Sequence, residues 1–176
     1  MKEIFVTFAK ANDESDKAFM AILNKMSNED REKNRRSYYG SLSGLARHVM
    51  GGTFHFIGMF KDAIASNAGA VKAIESLSKI KMPEGKKLDE DGWKKFGAAI
   101  KAADKAYIEF TEALTDKDLA SQVKLSWYKG KPASVPLSFM LQQLVAHGIH
   151  HRGQISQILD SLKIDNDYSG LNVKFI

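Results

Sequence analysis

LVAHGIHHRGQISQIL, residues 144–159, repeats its apolar positions every three or four residues, the spacing of one face of an α-helix. Followed outward, the stripe runs through Leu137, Leu141, Leu144, Gly148, His151, Ile155, Ile158 and Leu162, and Pro136 suits the first turn of such a helix. An imidazole thus occupies the middle of a face that should be buried. The chain has five histidines, and three of them, His147, His150 and His151, lie in this one stretch. His147 and His151 are a turn apart on one face, about 6 Å along the axis. Their rings can converge on a single ion, as paired helical histidines do in zinc sites. His150 points about 100° away from His151.

Three more stripes of this kind precede it. Phe5, Phe8, Asn12, Ser15, Phe19, Ile22 and Met26 predict a first helix. After a polar connection around 27–40, Leu42, Leu45, Val49, Gly52, Phe56 and Met59 predict a second, opened by the candidate cap Ser41. Trp93, Phe96, Ile100, Ala103, Tyr107, Phe110 and Leu114 predict a third, ending near Thr115. Between the second and third, AVKAIESLSKI can make a short helix and KMPEGKKLDED reads as a loop. Before the last helix, SQVKLSWYKGKPASVPL predicts a small β-hairpin about a Lys-Gly-Lys turn, with Val123, Leu125 and Trp127 alternating. We therefore expect one all-α domain over residues 1–176, a four-helix bundle. The long link between the second and third helices lets them run parallel, giving an up-down-down-up order.

Composition narrows the chemistry. Cysteine is absent, which excludes disulfides, thiolate ligands and a cysteine nucleophile. Lysine and arginine exceed aspartate and glutamate by 26 to 21, a net charge of +5. The basic residues are interleaved with acids in NEDREKNRRS and GKKLDEDGWKK, so a solvated surface is preferred to a nucleic-acid face. Lys10, Asp13, Glu14 and Asp16 interrupt the N-terminus before a signal-peptide core is complete, and no apolar run reaches membrane-spanning length. A cytoplasmic protein with no membrane partner is expected.

His48 and His55 both fall on the second helix, two turns and about 10 Å apart, too far to share one small ion. Either one could complete a three-histidine site with His147 and His151, and spacing does not choose between them. Burying so much polarity without a partner is costly, and coordination would satisfy it, so a metal site is preferred to structural histidines.

HGIHHRGQISQIL resembles the fourth-helix signature of the DinB-like proteins, a histidine, three residues, then His-Arg-Gly-Gln. SLSGLARHVMGG resembles their second-helix segment leading to Leu-x-x-His, and IDNDYSGLNVKFI is similar to their tail. The resemblance covers most of the chain. It implies an up-down-down-up bundle with a divalent metal held by His48, His147 and His151. It selects His48 over His55, which falls where the family often carries a bulky or aromatic residue and is expected to line the pocket or support a ligand. Ala146 stands where many relatives carry asparagine, which removes a supporting side chain there.

Three neutral histidines leave coordination positions open, the arrangement of a catalytic zinc site. Zinc or nickel is the expected ion, and manganese or iron also suits imidazole. Relatives implied by the resemblance include thiol-dependent transferases and isomerases and metal-dependent hydrolases. We therefore expect a small-molecule substrate, with a low-molecular-weight thiol as cosubstrate. The alternative is a non-catalytic metal-binding or stress-response protein, with DNA association behind both. Exposed apolar faces would admit a homodimer. Gln143, a turn before His147, either hydrogen-bonds its free ring nitrogen or sits at the surface or core edge, and the sequence does not choose between them. Arg152 and Gln154 either bind an anionic substrate group or, as preferred, tie the helix to its neighbours. Asn12 and Ser15 are expected to line a polar pocket near the metal, while Gly51, Gly52 and Gly148 let helices approach. Phe54, Phe56, Trp93 and Tyr107 are assigned to the core.

Overall fold

Four long helices form where the apolar stripes predict them in the computed structural model, which describes residues 1–125 and 133–168. They are α1 (Lys2–Leu23), α3 (Leu42–Gly58), α5 (Glu90–Ala113) and α7 (Leu137–Ser161). Short helices α2 (Asn28–Glu32), α4 (Ala68–Ser78) and α6 (Asp116–Ala120) occupy the connections, with a 3-10 turn at Asp62–Ile64. Strands β1 (Gln122–Leu125) and β2 (Ala133–Pro136) pair antiparallel, with Val123 opposite Val135. This is the expected hairpin; Trp127 and the Lys-Gly-Lys turn lie outside the described residues. No helix among the described residues is long and apolar enough to cross a membrane.

Local chemistry sets the helix starts. The side chains of Ser41 and Asp89 accept the backbone N–H groups of Gly44 and Gly92, and Thr115 forms a reciprocal capping box with Asp118. The last of these starts α6 immediately after α5. AVKAIESLSKI does become helical within α4, which buries Ala70, Ala73, Ile74 and Leu77 and packs on α5.

Cross-helix contacts give the order of the bundle. Along α1 and α5, Lys10 meets Glu112, Asn12 meets Asp104 and Asn24 meets Trp93, so the two run antiparallel. On α3 and α7, His48 meets His151 and Phe56 meets His147, again antiparallel. Phe8 shares a cavity wall with Val145, whereas Asn12 contacts Arg152, so α1 and α7 are parallel. The long helices therefore go up, down, down and up.

All seven stripe residues of the third predicted helix are buried. The first stripe is misphased. The buried face of α1 is Phe5, Val6, Ala9, Asp16, Phe19, Met20 and Leu23, while Phe8, Asn12, Ser15 and Ile22 are only half-buried. The reason is that α1 packs chiefly against α5 and has a carboxylate, Asp16, on the face it buries. A hydrophobic pattern cannot assign such a position to the core.

Candidate metal centre

Helix α3 delivers His48, and α7 delivers His147 and His151 from successive turns of one face. Their ligand atoms all lie within 4.8 Å of one another, a group that could hold a metal ion. Nε2 of His147 is 3.0 Å from Nε2 of His48, and the His151 ring centroid is 4.5 Å from each of the other two. Tetrahedral zinc with nitrogens at about 2.0–2.1 Å needs ligand atoms about 3.3 Å apart. The His48–His147 nitrogens are close to that separation and all three ligand atoms fall within 4.8 Å, so the donor set suits such an ion. Burial first, and then the charge of neighbouring histidines, lowers the pKa of His48 and takes His147 down to about 4. Both imidazoles are neutral at pH 7, with lone pairs free to coordinate.

The surroundings fix the rings. Gln154 Oε1 accepts a hydrogen bond from His151 Nδ1 at 2.7 Å, which leaves His151 Nε2 as the lone-pair nitrogen. Tyr39 stacks on His48 with centroids 3.7 Å apart and meets His151 in a T-shaped contact at 5.4 Å. Gly52 gives His147 its place, because a Cβ there would come within 2.9 Å of Nδ1. Gly51 has nothing within 4 Å and Gly148 meets only Arg152 of its own helix, so of the three glycines Gly52 alone makes room for a residue of the facing helix.

Other expected site residues lie elsewhere. Gln143 is exposed and forms no bond to His147, whose Nδ1 is buried without a hydrogen-bond partner among the described residues. His55 is exposed, 5.7 Å from the Phe56 ring, and is not among the clustered histidines. His150 is exposed and outside the clustered group, although its ring meets that of His151 edge-on at 4.7 Å.

Beside the histidines, α7 turns a second polar group toward α1. Arg152 Nη1 donates to Asn12 Oδ1 at 2.7 Å and to Asp16 Oδ1 at 3.0 Å. Asn12 Nδ2 in turn donates to Asp16 Oδ2 and Asp104 Oδ1. Burial, and then the charge of Asp16, holds the Asp104 carboxyl well above the usual carboxylate range. Asp104 therefore holds its proton more tightly than a free carboxyl, while Asp16, itself raised by burial, faces the guanidinium that opposes that rise. Tyr168 of the tail closes the group by donating its hydroxyl to the Arg152 carbonyl oxygen. Arg152 thus ties helices together, the role preferred from its sequence. Asn12 and Ser15 do line a cavity of about 180 Å³, with Tyr107 and Arg152, although none of the three clustered histidines does. Tyr39, Asp16, Asp104 and the bond from Gln154 to His151 escaped sequence reasoning. Only Gln154, one turn beyond His151, carried a signal.

Residues 1–162 match the family model of the DinB family. No curated protein matches the chain.

Proposed function

Since the chain belongs to the DinB family, we propose that His48, His147 and His151 hold one divalent metal ion and that the protein is a metal-dependent enzyme. Its reaction would be thiol transfer to, or hydrolysis of, a small substrate. The observation that carries this is the convergence of three ligand atoms within 4.8 Å from two facing helices. When bound, such an ion supplies Lewis acidity toward a water or thiol while keeping a coordination position open. Zinc or nickel is the ion we favour. The chain's own residues prepare the place. Gln154 holds the proton on His151 Nδ1, Tyr39 covers one face of His48, and Gly52 leaves room for the His147 ring. No cysteine competes for the ion, so a thiol cosubstrate would have to come from solution.

Elemental mass spectrometry on untagged protein tests the site. About one metal per chain is expected, kept in His55→Ala and lost in His48→Ala, His147→Ala and His151→Ala. No metal in the wild type, even after reconstitution with zinc, nickel and manganese, would remove the proposal.

A further inference from the structure

The face of α7 that carries His147 and His151 continues toward the C-terminus as Gln154, Gln157, Ile158 and Ser161. Opposite it lies the loop between α2 and α3. Arg35, Arg36, Ser37 and Tyr38 on the loop side, and Gln154 and Gln157 on the helix side, enclose a groove of about 370 Å³. Two arginines and no acidic residue line it. That volume is on the scale of a small-molecule site, at about 300–1,000 Å³.

The loop is built rather than loose. The Arg35 N–H donates to the Gly40 carbonyl, Ser37 bridges to Gly40, and the Arg36 N–H donates to Asn34 Oδ1 at 2.8 Å. Arg36 is held at φ 60°, a left-handed conformation uncommon for a non-glycine residue. Arg35 contacts Asp30 through its Nη2, leaving its Nε buried without a partner among the described residues. Ser37 Oγ is likewise buried and unpartnered. Arg36 is exposed and forms no ion pair among the described residues. Asp30 takes part of the Arg35 charge, and what the groove leaves over is the Arg36 guanidinium, the Arg35 Nε and the Ser37 hydroxyl.

Two residues connect it to the histidine centre. Gln154 lines the groove and accepts from His151 Nδ1, and Tyr38 adjoins Tyr39, which stacks on His48. From His151 to Gln157 the rise along α7 is about 9 Å. We propose that this groove is the specificity subsite of the histidine centre. It takes the carboxylate, phosphate or sulfonate end of a small anionic substrate or thiol cosubstrate whose reacting group sits at the histidines. This rests on the proposed metal site, and the experiment below separates the two.

Protein loaded with cobalt(II) would be titrated with 6-mercaptohexanoate and 6-mercaptohexanol, following the thiolate-to-cobalt absorption band. The carboxylate should bind about tenfold more tightly, the scale of a charge-assisted bidentate contact. In Arg35→Gln/Arg36→Gln, and partly in the exposed single variant Arg36→Gln, the preference should vanish. Cobalt content and the binding of 6-mercaptohexanol should be unchanged. Equal binding of the two thiols in the wild type, or a preference that survives the double variant, would overturn the subsite. A second arm uses inorganic phosphate on metal-free protein, read by amide NMR. Saturable shifts confined to residues 35–40 and 154–161, lost in the double variant, are expected. Phosphate binding there without an advantage for 6-mercaptohexanoate would mean a free-anion site and also overturn the subsite. If cobalt does not load, the metal reading fails by itself, and the phosphate arm alone decides whether the groove binds anions; no local shifts there reject it.

Discussion

Adding one methyl group at Gly52 should separate the stability of the bundle from the integrity of its histidine centre. Within a helix, alanine is favoured over glycine by about 1 kcal/mol. At Gly51 nothing lies within 4 Å of the added Cβ, so Gly51→Ala should realise that gain. For a chain of this size it amounts to about 2–4 °C in Tm. One residue on, the Cβ of Gly52→Ala would fall 2.9 Å from His147 Nδ1 and 3.2 Å from Nε2. The ring cannot yield freely, because His48 and Phe56 flank it at centroid distances of 4.9 and 6.0 Å. Overpacking of this kind costs about 1–3 kcal/mol, which cancels or exceeds the helical gain.

The displaced ring should also spoil the ligand geometry. Disturbing what orients a metal ligand typically costs about 10–100-fold in affinity. Competition for zinc with a chromophoric chelator, beside thermal melts by circular dichroism, measures both quantities. Gly51→Ala should melt higher and bind zinc as the wild type does. Gly52→Ala should melt no higher than the wild type and bind zinc about 10–100-fold more weakly. If Gly52→Ala instead gains stability like Gly51→Ala and keeps full zinc affinity, His147 does not sit over Gly52 and the packing argued for the site is wrong.

Other substitutions probe the groups around the centre. Gln154→Ala removes the acceptor for His151 Nδ1, and zinc affinity should fall about tenfold or more; an unchanged chelator competition would deny Gln154 its orienting role. Arg152→Met leaves Asp16 buried without its cation, and urea denaturation should show a loss of about 3–5 kcal/mol. Asp16→Asn in the same chain should recover part of it, and a loss below about 1 kcal/mol would rule out a structural pair. Because Asp104 has a raised pKa in the folded chain, the folded state binds its proton more tightly than the unfolded one. The contribution of Asp104 to stability therefore falls as pH rises above the ordinary carboxylate value of about 4. Asp104→Asn abolishes that dependence at one position, so its Tm relative to wild type should increase from pH 4 to pH 8, and a pH-independent difference would contradict a raised Asp104 pKa.

Legibility in the sequence followed the purity of each stripe. Helix α5 was plain because all seven of its periodic positions are apolar and all are buried. Helix α1 was misphased because its buried face includes Asp16, and because Phe8 turns toward the cavity beside α7. The convergence of His147 and His151 followed from helical spacing, whereas choosing His48 over His55 needed the resemblance: both sit on α3, and only the fold shows which faces α7. Gln143 and Gln154 each lie about a turn from a histidine, but reading the sequence weighs only Gln143 as its partner. They differ because helical side chains lean toward the N-terminus. Gln154 leans back over His151, and Gln143 leans away from His147. Tyr39 lies in a loop, where no periodic signal exists.

The His-Arg-Gly-Gln block gains its specificity from sending each residue in a different direction. His151 goes to α3, and Arg152, about 100° further round, goes to α1. Gly153 faces open space, and Gln154 returns to His151. Gly148, one turn before Arg152, keeps clear the space its guanidinium fills, since a Cβ there would lie 3.2 Å from Nη2. A rotation of α7 by one residue would break the contacts to α1 and α3 together. Buried ion pairs are weak evidence for stability, yet here the pair between Arg152 and Asp16 sets the rotation of the helix that carries two of the three clustered histidines. His147 and His151 are thus aimed at His48 by contacts about 100° round α7, on the side facing α1, which helps to place the ligand atoms within 4.8 Å of one another.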